Sequence, residues 1–325
     1  MTHRVLACAI ALATLFGLYG SPAARAQLGE QPVRIVFPFA AGGSGDALAR
    51  VLAEALRAGL DRTVIVENRT GAAGRIGVQA VKNAAPDGTT LLLTPIAPMS
   101  VYQHVYPSLG YDPIADFAPV TQIATFDFGL AVGPNVPAKS LKELVAWVKA
   151  DPGRANFGTP GAGTLPHFFG VLFGRAAGLD LVHVNYRGSA AALTDLIGGQ
   201  IPILVTTTTD LMENHKAGNI RVLATSDTQR SQFLPDLPTF KEAGYDIEGT
   251  GWYGMFLPAG TPADIVERYN KILVAAVKSP EISKRLIGFG LQPTGTSIAD
   301  FTALQKADSA RWAPAVKASG FKPGQ

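Results

Sequence analysis

The stretch VRIVFPFAAGGSGDALARVLAEALRAGL, residues 33–60, decides the fold. Residues 33–37 form an apolar run broken only by Arg34, the pattern of a strand covered on both faces. From Leu48 onward Val51, Leu52, Ala55 and Leu56 recur at i+3, i+4, i+7 and i+8, which is one face of a helix. Between strand and helix lies a loop of small residues, Phe37-Pro38-Phe39-Ala40-Ala41-Gly42-Gly43-Ser44-Gly45-Asp46. Working outward, residues 63–66 and 90–93 read as further strands, 76–84 as a helix, and Asp87-Gly88 as a turn. This βαβαβ order predicts a parallel sheet with helices on its faces.

The same grammar returns later. Ser140-Leu141-Lys142-Glu143 reads as a capping box opening a helix that contains Leu144, Val145 and Val148. Asn156-Phe157-Gly158 then starts a second α/β series through 181–185, 190–197, 201–205 and 221–225. Its first strand leads into a second small-residue loop, Thr159-Pro160-Gly161-Ala162-Gly163-Thr164. Small residues let backbone N–H groups approach a ligand, and the positive end of a following helix favours negative charge there. Two such cradles about 120 residues apart predict one anion held from two sides. Thr261-Pro262-Ala263-Asp264 is expected to cap a C-terminal helix with Ile265, Val266, Tyr269, Ile272, Leu273 and Val277 on one face.

Residues 1–26 stand apart. Arg4, an apolar run over 5–18, and Ala24-Arg25-Ala26 together read as an export signal cleaved after Ala26. The run falls short of the roughly 20 residues that span a bilayer. Val5-Leu6-Ala7-Cys8 has a lipobox-like look, but the apolar segment follows it instead of preceding it. Cleavage removes Cys8, the one cysteine, and with it any disulfide, thiol nucleophile or cysteine-based metal site. It also takes Arg4 and Arg25 from a formal net charge of +3, leaving +1. No basic stripe supports nucleic-acid binding.

The remaining chain is long enough for two domains, yet no polar linker divides it. The domains are therefore expected to share strands, at 120–132, two apolar runs divided by Thr125-Phe126-Asp127, and at 245–257 on the way back. Domain 1 then comprises 27–126 and 246–325, with domain 2, 127–245, inserted. The ligand is expected in the cleft between them, where α/β sheets present their strand C-termini.

Several segments in this order and spacing resemble a known family: FPFAAGGSGDALAR (37–50), VENRTGAAGRIG (66–77), FGTPGAGTLPH (157–167), VNYRGSAAALTDLIGGQI (184–201), LPDLPTFKEAG (234–244) and residues 252–262. The chain is similar over essentially its whole mature length to the periplasmic solute receptors of tripartite tricarboxylate transporters, the Bug family. The resemblance implies an α/β, type II-like Venus flytrap with an interdomain cleft. It implies a monomeric periplasmic receptor that closes on a small mono- or dicarboxylate, does no chemistry on it, needs no cofactor or metal, and serves membrane transporter subunits. In that family the loops after the first two strands bracket the ligand from domain 1, one carboxylate being held by backbone amides and ordered waters. Here those loops carry Phe39, Ala41, Gly42, Gly43, Ser44 and Asp46, then Ala72 and Gly74. From domain 2 come Thr159, Gly161, Ala162, Gly163, Thr164 and His167, then Arg187 and Ser189. The chain departs at Thr70 and Ala73, where the family more often has Pro and Gly.

Read on their own chemistry, some of these residues keep two roles. Asp46 either caps the helix or accepts from a ligand, and Gly71-Ala72-Ala73-Gly74 is either a cradle or an ordinary turn. Asp210, after four threonines, either binds a ligand hydroxyl or amine or caps the next helix. His167 either reaches an anion or packs, and Arg187 either pairs with a carboxylate or stays solvated. Phe39 is a wall of the pocket or part of the core, and Trp252 is expected to pack near a crossing strand.

Enzymatic readings of the loops fail on specific residues. Thr164 stands where a P-loop needs Lys, Leu48 where a dinucleotide fingerprint needs its third Gly, and neither Ser44 nor Ser189 has the glycine a nucleophile elbow requires. His104, His167, His183 and His215 lack metal-site spacing. The rivals to a transport receptor are a carboxylate sensor for a signalling system and an exported α/β enzyme acting on a carboxylate.

Overall fold

The computed structural model describes residues 31–321, so the expected export signal lies outside the described residues. In the first lobe β1 (Val33–Phe37) is flanked by β2 (Val64–Asn68) and β3 (Thr90–Pro95), both parallel to it. Helices α1 (Ser44–Leu60) and α2 (Arg75–Lys82) make the crossovers. Leu48, Leu52 and Leu56 of α1 are fully buried, as the 3.6-residue pattern requires.

The crossing strand is one piece where the sequence suggested two runs. β4 (Phe117–Val132) continues through Thr125-Phe126-Asp127, with Thr125 opposite Trp252 and Asp127 opposite Thr250 of β9 (Thr250–Pro258). Alternation explains why the polar residue does not break it. Phe126 and Phe128 share one face, while Asp127, on the other, accepts a hydrogen bond from the Thr208 hydroxyl. β9 itself starts at Thr250, five residues later than the expected crossing.

The two lobes repeat one topology. In the first, the strand order is β2-β1-β3-β9-β4. In the second, β6 (Val182–Asn185), β5 (Asn156–Thr159) and β7 (Ile203–Thr207) are followed by the far half of β4 and then β8 (Arg221–Thr225). One long antiparallel strand thus belongs to both sheets. Helices α3 (Leu141–Ala150), α4 (Leu165–Ala177), α5 (Ser189–Ile197) and α6 (Thr208–Lys216) cover the second sheet. The C-terminal stretch gives α7 (Ala263–Lys278), α8 (Pro280–Gly288), the short β10 (Gln292–Pro293) on β4, and α9 (Ile298–Ser319). Among the described residues no helix is long and apolar enough to cross a membrane.

The caps divide. Ser140 accepts from the Glu143 N–H at 3.2 Å as the capping box predicts, while the Glu143 carboxylate reaches the N–H of Lys139 at 2.8 Å. Thr261 does not cap α7: Pro262 occupies the N-cap, and the Thr261 hydroxyl donates to the Pro258 carbonyl at 2.8 Å. The helix simply begins one residue too late for Thr261 to reach its first turn.

Two glycines set how closely two helices approach the sheets. A Cβ at Gly45 would lie 2.3 Å from the Phe37 ring, and one at Gly170 would lie 2.1 Å from the Phe157 ring. Only Gly lets α1 and α4 seat against β1 and β5 this closely.

Candidate functional site

The strand C-termini of both lobes face each other, and the helices that follow them begin at the same place. Gly43-Ser44-Gly45 at the start of α1, Leu165 at the start of α4, Ser189 at the start of α5 and Thr207 before α6 all line one cavity between the lobes. The cavity has a volume of about 60 Å³. Each helix start leaves first-turn N–H groups without partners in its own helix and adds roughly half a positive charge, so the cavity is built for an anion. Among the described lining residues there is no Lys, Arg or His.

The body of the cavity is aromatic. Phe39, Phe37, Tyr253, Phe126 and Phe128 form a continuous run of rings, with successive centroids 5.8, 6.5, 4.7 and 5.4 Å apart. Pro95, Ile96 and Ala97, at the C-terminal end of β3, close the wall. Burial, followed by the nearby Asp210 charge, pushes the Tyr253 phenol above its ordinary pKa, so it stays a neutral hydroxyl.

The lobes touch across the cleft. Asp210, in the first turn of α6, accepts the Ser44 N–H of α1 at 2.8 Å, and its other oxygen accepts from the Thr207 hydroxyl at 2.9 Å and from Thr206 at 3.3 Å. The Thr209 hydroxyl donates to Ser44 Oγ at 2.9 Å, and the Ala40 N–H donates to the Arg187 carbonyl at 3.3 Å. The Tyr106 hydroxyl adds a fourth contact, donating to the Ala162 carbonyl at 3.0 Å. A carboxylate of the second lobe thus sits on the helix start that the first lobe offers.

Of the residues singled out from the sequence, Phe39, Gly43, Ser44, Thr164, Ser189 and Asp210 line this cavity. Ala72, Gly74 and Arg187 line an outer cleft that adjoins it at Phe39 and Pro160, and Gly42 lines a groove on the far side of Asp210. The rest brace the loops. Asp46, 5% exposed, accepts from the Gly42 N–H at 3.2 Å and twice from Arg50 at 3.1 Å. Burial raises its pKa, but the Arg50 and Gly42 hydrogen bonds outweigh that and hold the carboxyl below its ordinary value. Ala41 sits exposed on the loop above.

His167 lies beneath the second cradle and not in the cavity. Its Nδ1 accepts the Gly163 N–H at 3.0 Å, and its ring stacks 4.0 Å from that of His183. His183 in turn shares a 2.7 Å hydrogen bond with the Thr159 hydroxyl, and the Asn185 side chain accepts the Ala162 N–H at 2.7 Å. The Thr164 hydroxyl donates to the Gly161 carbonyl at 2.6 Å, closing the loop. Burial pushes His167 down to about 3, helped by His183, and His183 down to about 4. Both rings are therefore neutral near pH 7 and present no cation to a ligand.

The 71–74 loop is strained. Ala72 and Ala73 have φ of 48° and 55°, between Gly71 and Gly74, which are also positive. Left-handed alanines cost about 1–2 kcal/mol each. The Tyr102 hydroxyl on the Ala73 carbonyl at 2.7 Å and Arg75 Nε on the Ala72 carbonyl at 3.0 Å hold them there. Such strain at the mouth of a cleft is what sites tend to carry.

The sequence pattern of the family described as "Tripartite tricarboxylate transporter family receptor" matches residues 48–321. The chain belongs to this receptor family. The periplasmic binding protein BugD is 33% identical, with a TM-score of 0.86 over 90% of this chain and 99% of BugD. Two proteins of Rhodopseudomonas palustris superpose as well. Rpa4515, solved with adipate, is 31% identical with a TM-score of 0.85, covering 89% of this chain and 97% of that one. MatC, solved with malate, is 27% identical with a TM-score of 0.83, covering 88% and 98%. The Bug-family resemblance read from the sequence and the two-lobed α/β fold expected with it are both borne out.

Within this receptor family's fold, sequence reading overlooked the end of β3 at Pro95-Ile96-Ala97, the pair Phe126 and Phe128, and Tyr253. The first had a signal, since 90–93 was read as a strand and ligands gather at strand C-termini. The others are strand residues whose inward face is set by the register of β4 against β9, which the sequence does not display.

Proposed function

We propose that the protein is an extracytoplasmic solute receptor that closes on a small carboxylate and delivers it to the membrane subunits of a tripartite tricarboxylate transporter. The observation that carries this reading is the convergence of four helix N-termini on one interlobe cavity. The adipate and malate held by two relatives support a carboxylate ligand. Export to the periplasm, with cleavage after Ala26, follows from the signal-like residues 1–26 and accords with BugD being periplasmic. The moving bodies are 27–126 with 246–325, and 127–245, the boundary falling within β4 and just before β9. In this reading the protein acts as a monomer, needs no cofactor and binds its ligand without transforming it, in keeping with the receptor family.

The test is thermal unfolding against a panel of small mono- and dicarboxylates. A ligand at 100 times its dissociation constant stabilises by about 2.7 kcal/mol, a shift of several degrees. Deleting the gene is then expected to abolish uptake of the ligand so found. No stabilisation by any carboxylate overturns the receptor reading, and undiminished uptake overturns delivery.

A further inference from the structure

We infer that the cavity selects a monocarboxylate with an apolar body, and that Asp210 is the residue that turns away a second carboxylate. The inference rests on the receptor reading above and narrows it to one class of ligand.

Three observations carry it. First, the anion-binding elements are helix starts alone, and Asp210 is the one charged side chain among the described residues lining the cavity. A ligand carboxylate at the start of α4 or α5 is stabilised by first-turn N–H groups. A second carboxylate further along the ligand meets no cation in the cavity. The nearest candidate on the loops, Arg187, is exposed and lines the outer cleft instead.

Second, most of the side-chain hydroxyls that could stand in for a cation are already engaged. The Thr164 hydroxyl donates to the Gly161 carbonyl at 2.6 Å, Ser189 and Thr206 share a hydrogen bond of 3.0 Å, and the Thr207 hydroxyl donates to Asp210 at 2.9 Å. The Asp210 carboxylate receives donors on both oxygens, which suits an ionised acid. It therefore presents negative charge to the cavity, where the Ser44 and Tyr253 hydroxyls, 3.5 Å apart, are the remaining side-chain donors.

Third, the wall that receives the ligand's body is the run of five rings from Phe39 to Phe128. Such a wall gains by covering methylene or aromatic carbon and loses by desolvating a charge or hydroxyl that finds no partner.

Calorimetric titration of the purified protein with matched acids tests this. Hexanoate is compared with adipate, benzoate with terephthalate, and lactate serves as a short polar monocarboxylate. Hexanoate or benzoate is expected to bind at least about tenfold tighter than its dicarboxylate counterpart and than lactate. Adipate or terephthalate binding as tightly as its counterpart, or lactate binding tightest, overturns the inference while leaving a carboxylate receptor standing. Absence of binding by all five overturns both. Asp210→Asn keeps an oxygen for the Ser44 N–H and removes the charge, so it is expected to narrow the hexanoate-to-adipate ratio by about tenfold. With melting temperature confirming the fold, an unchanged ratio would remove Asp210 from the role of selector.

Discussion

Replacing Asp210 by Ala is expected to open the ligand-free protein. Asp210 makes one hydrogen bond across the cleft, to the Ser44 N–H at 2.8 Å, and two within its own lobe, to Thr206 and Thr207. The two internal bonds exist whether the lobes are apart or together, so their loss falls equally on both states and cancels. The cross-lobe bond exists in the closed state alone. A hydrogen bond to a charged group is worth about 1.5–3 kcal/mol, and the partial exposure of Asp210 places this one at the lower end. About 1.5 kcal/mol is roughly a tenfold change in an open–closed equilibrium. Cysteines introduced at the exposed Ala58 on α1 and Ala146 on α3 carry a donor and an acceptor dye, one on each lobe, in a chain without Cys8. Energy transfer in the Ala variant should shift toward longer distances, and every ligand should bind more weakly by up to the same factor. An unchanged transfer distribution would refute the argument that this carboxylate holds the lobes together.

Two further substitutions follow from the same geometry. Gly43→Val should abolish carboxylate binding in calorimetry while preserving the fold, since even a Cβ there lies 3.6 Å from Asp210 Oδ1 and the two methyls must enter the cavity; retained affinity would move the site away from α1. His167 and His183, held down at about 3 and about 4 by burial, take up protons at their ordinary values once unfolded. The unfolded chain therefore binds more protons below about pH 6.5, and stability falls as pH drops from there toward 4, by up to about 1.4 kcal/mol per pH unit for each ring. His167→Asn, which keeps an acceptor for the Gly163 N–H, should flatten that slope in melts from pH 7 to 4, and an unaltered slope would contradict a buried neutral ring.

The chain's local grammar was legible because it depends on neighbours. The β1–loop–α1 unit and the second cradle could be read from periodicity and small residues, and both bring residues to the cavity. What could not be read depends on contacts between distant segments. Asp210 kept two readings, ligand partner or cap. In the structure it stands in the first turn of α6 and spends one oxygen on Ser44, 166 residues earlier. His167 opens α4 as expected, yet that face of α4 is buried, so its ring turns under Gly163. The aromatic wall is assembled from three strands and the loop after β1, and no one of them announces which face turns inward.

The most direct measurement of the central claim is a crystal structure of the protein with the tightest-binding acid of the panel. The account predicts a carboxylate between the lobes, its oxygens within about 3 Å of first-turn N–H groups of the helices that meet there, and its body against Phe39, Phe126 and Tyr253. A carboxylate seated in the outer cleft on the Arg187 guanidinium, or bound outside the lobes altogether, would contradict it.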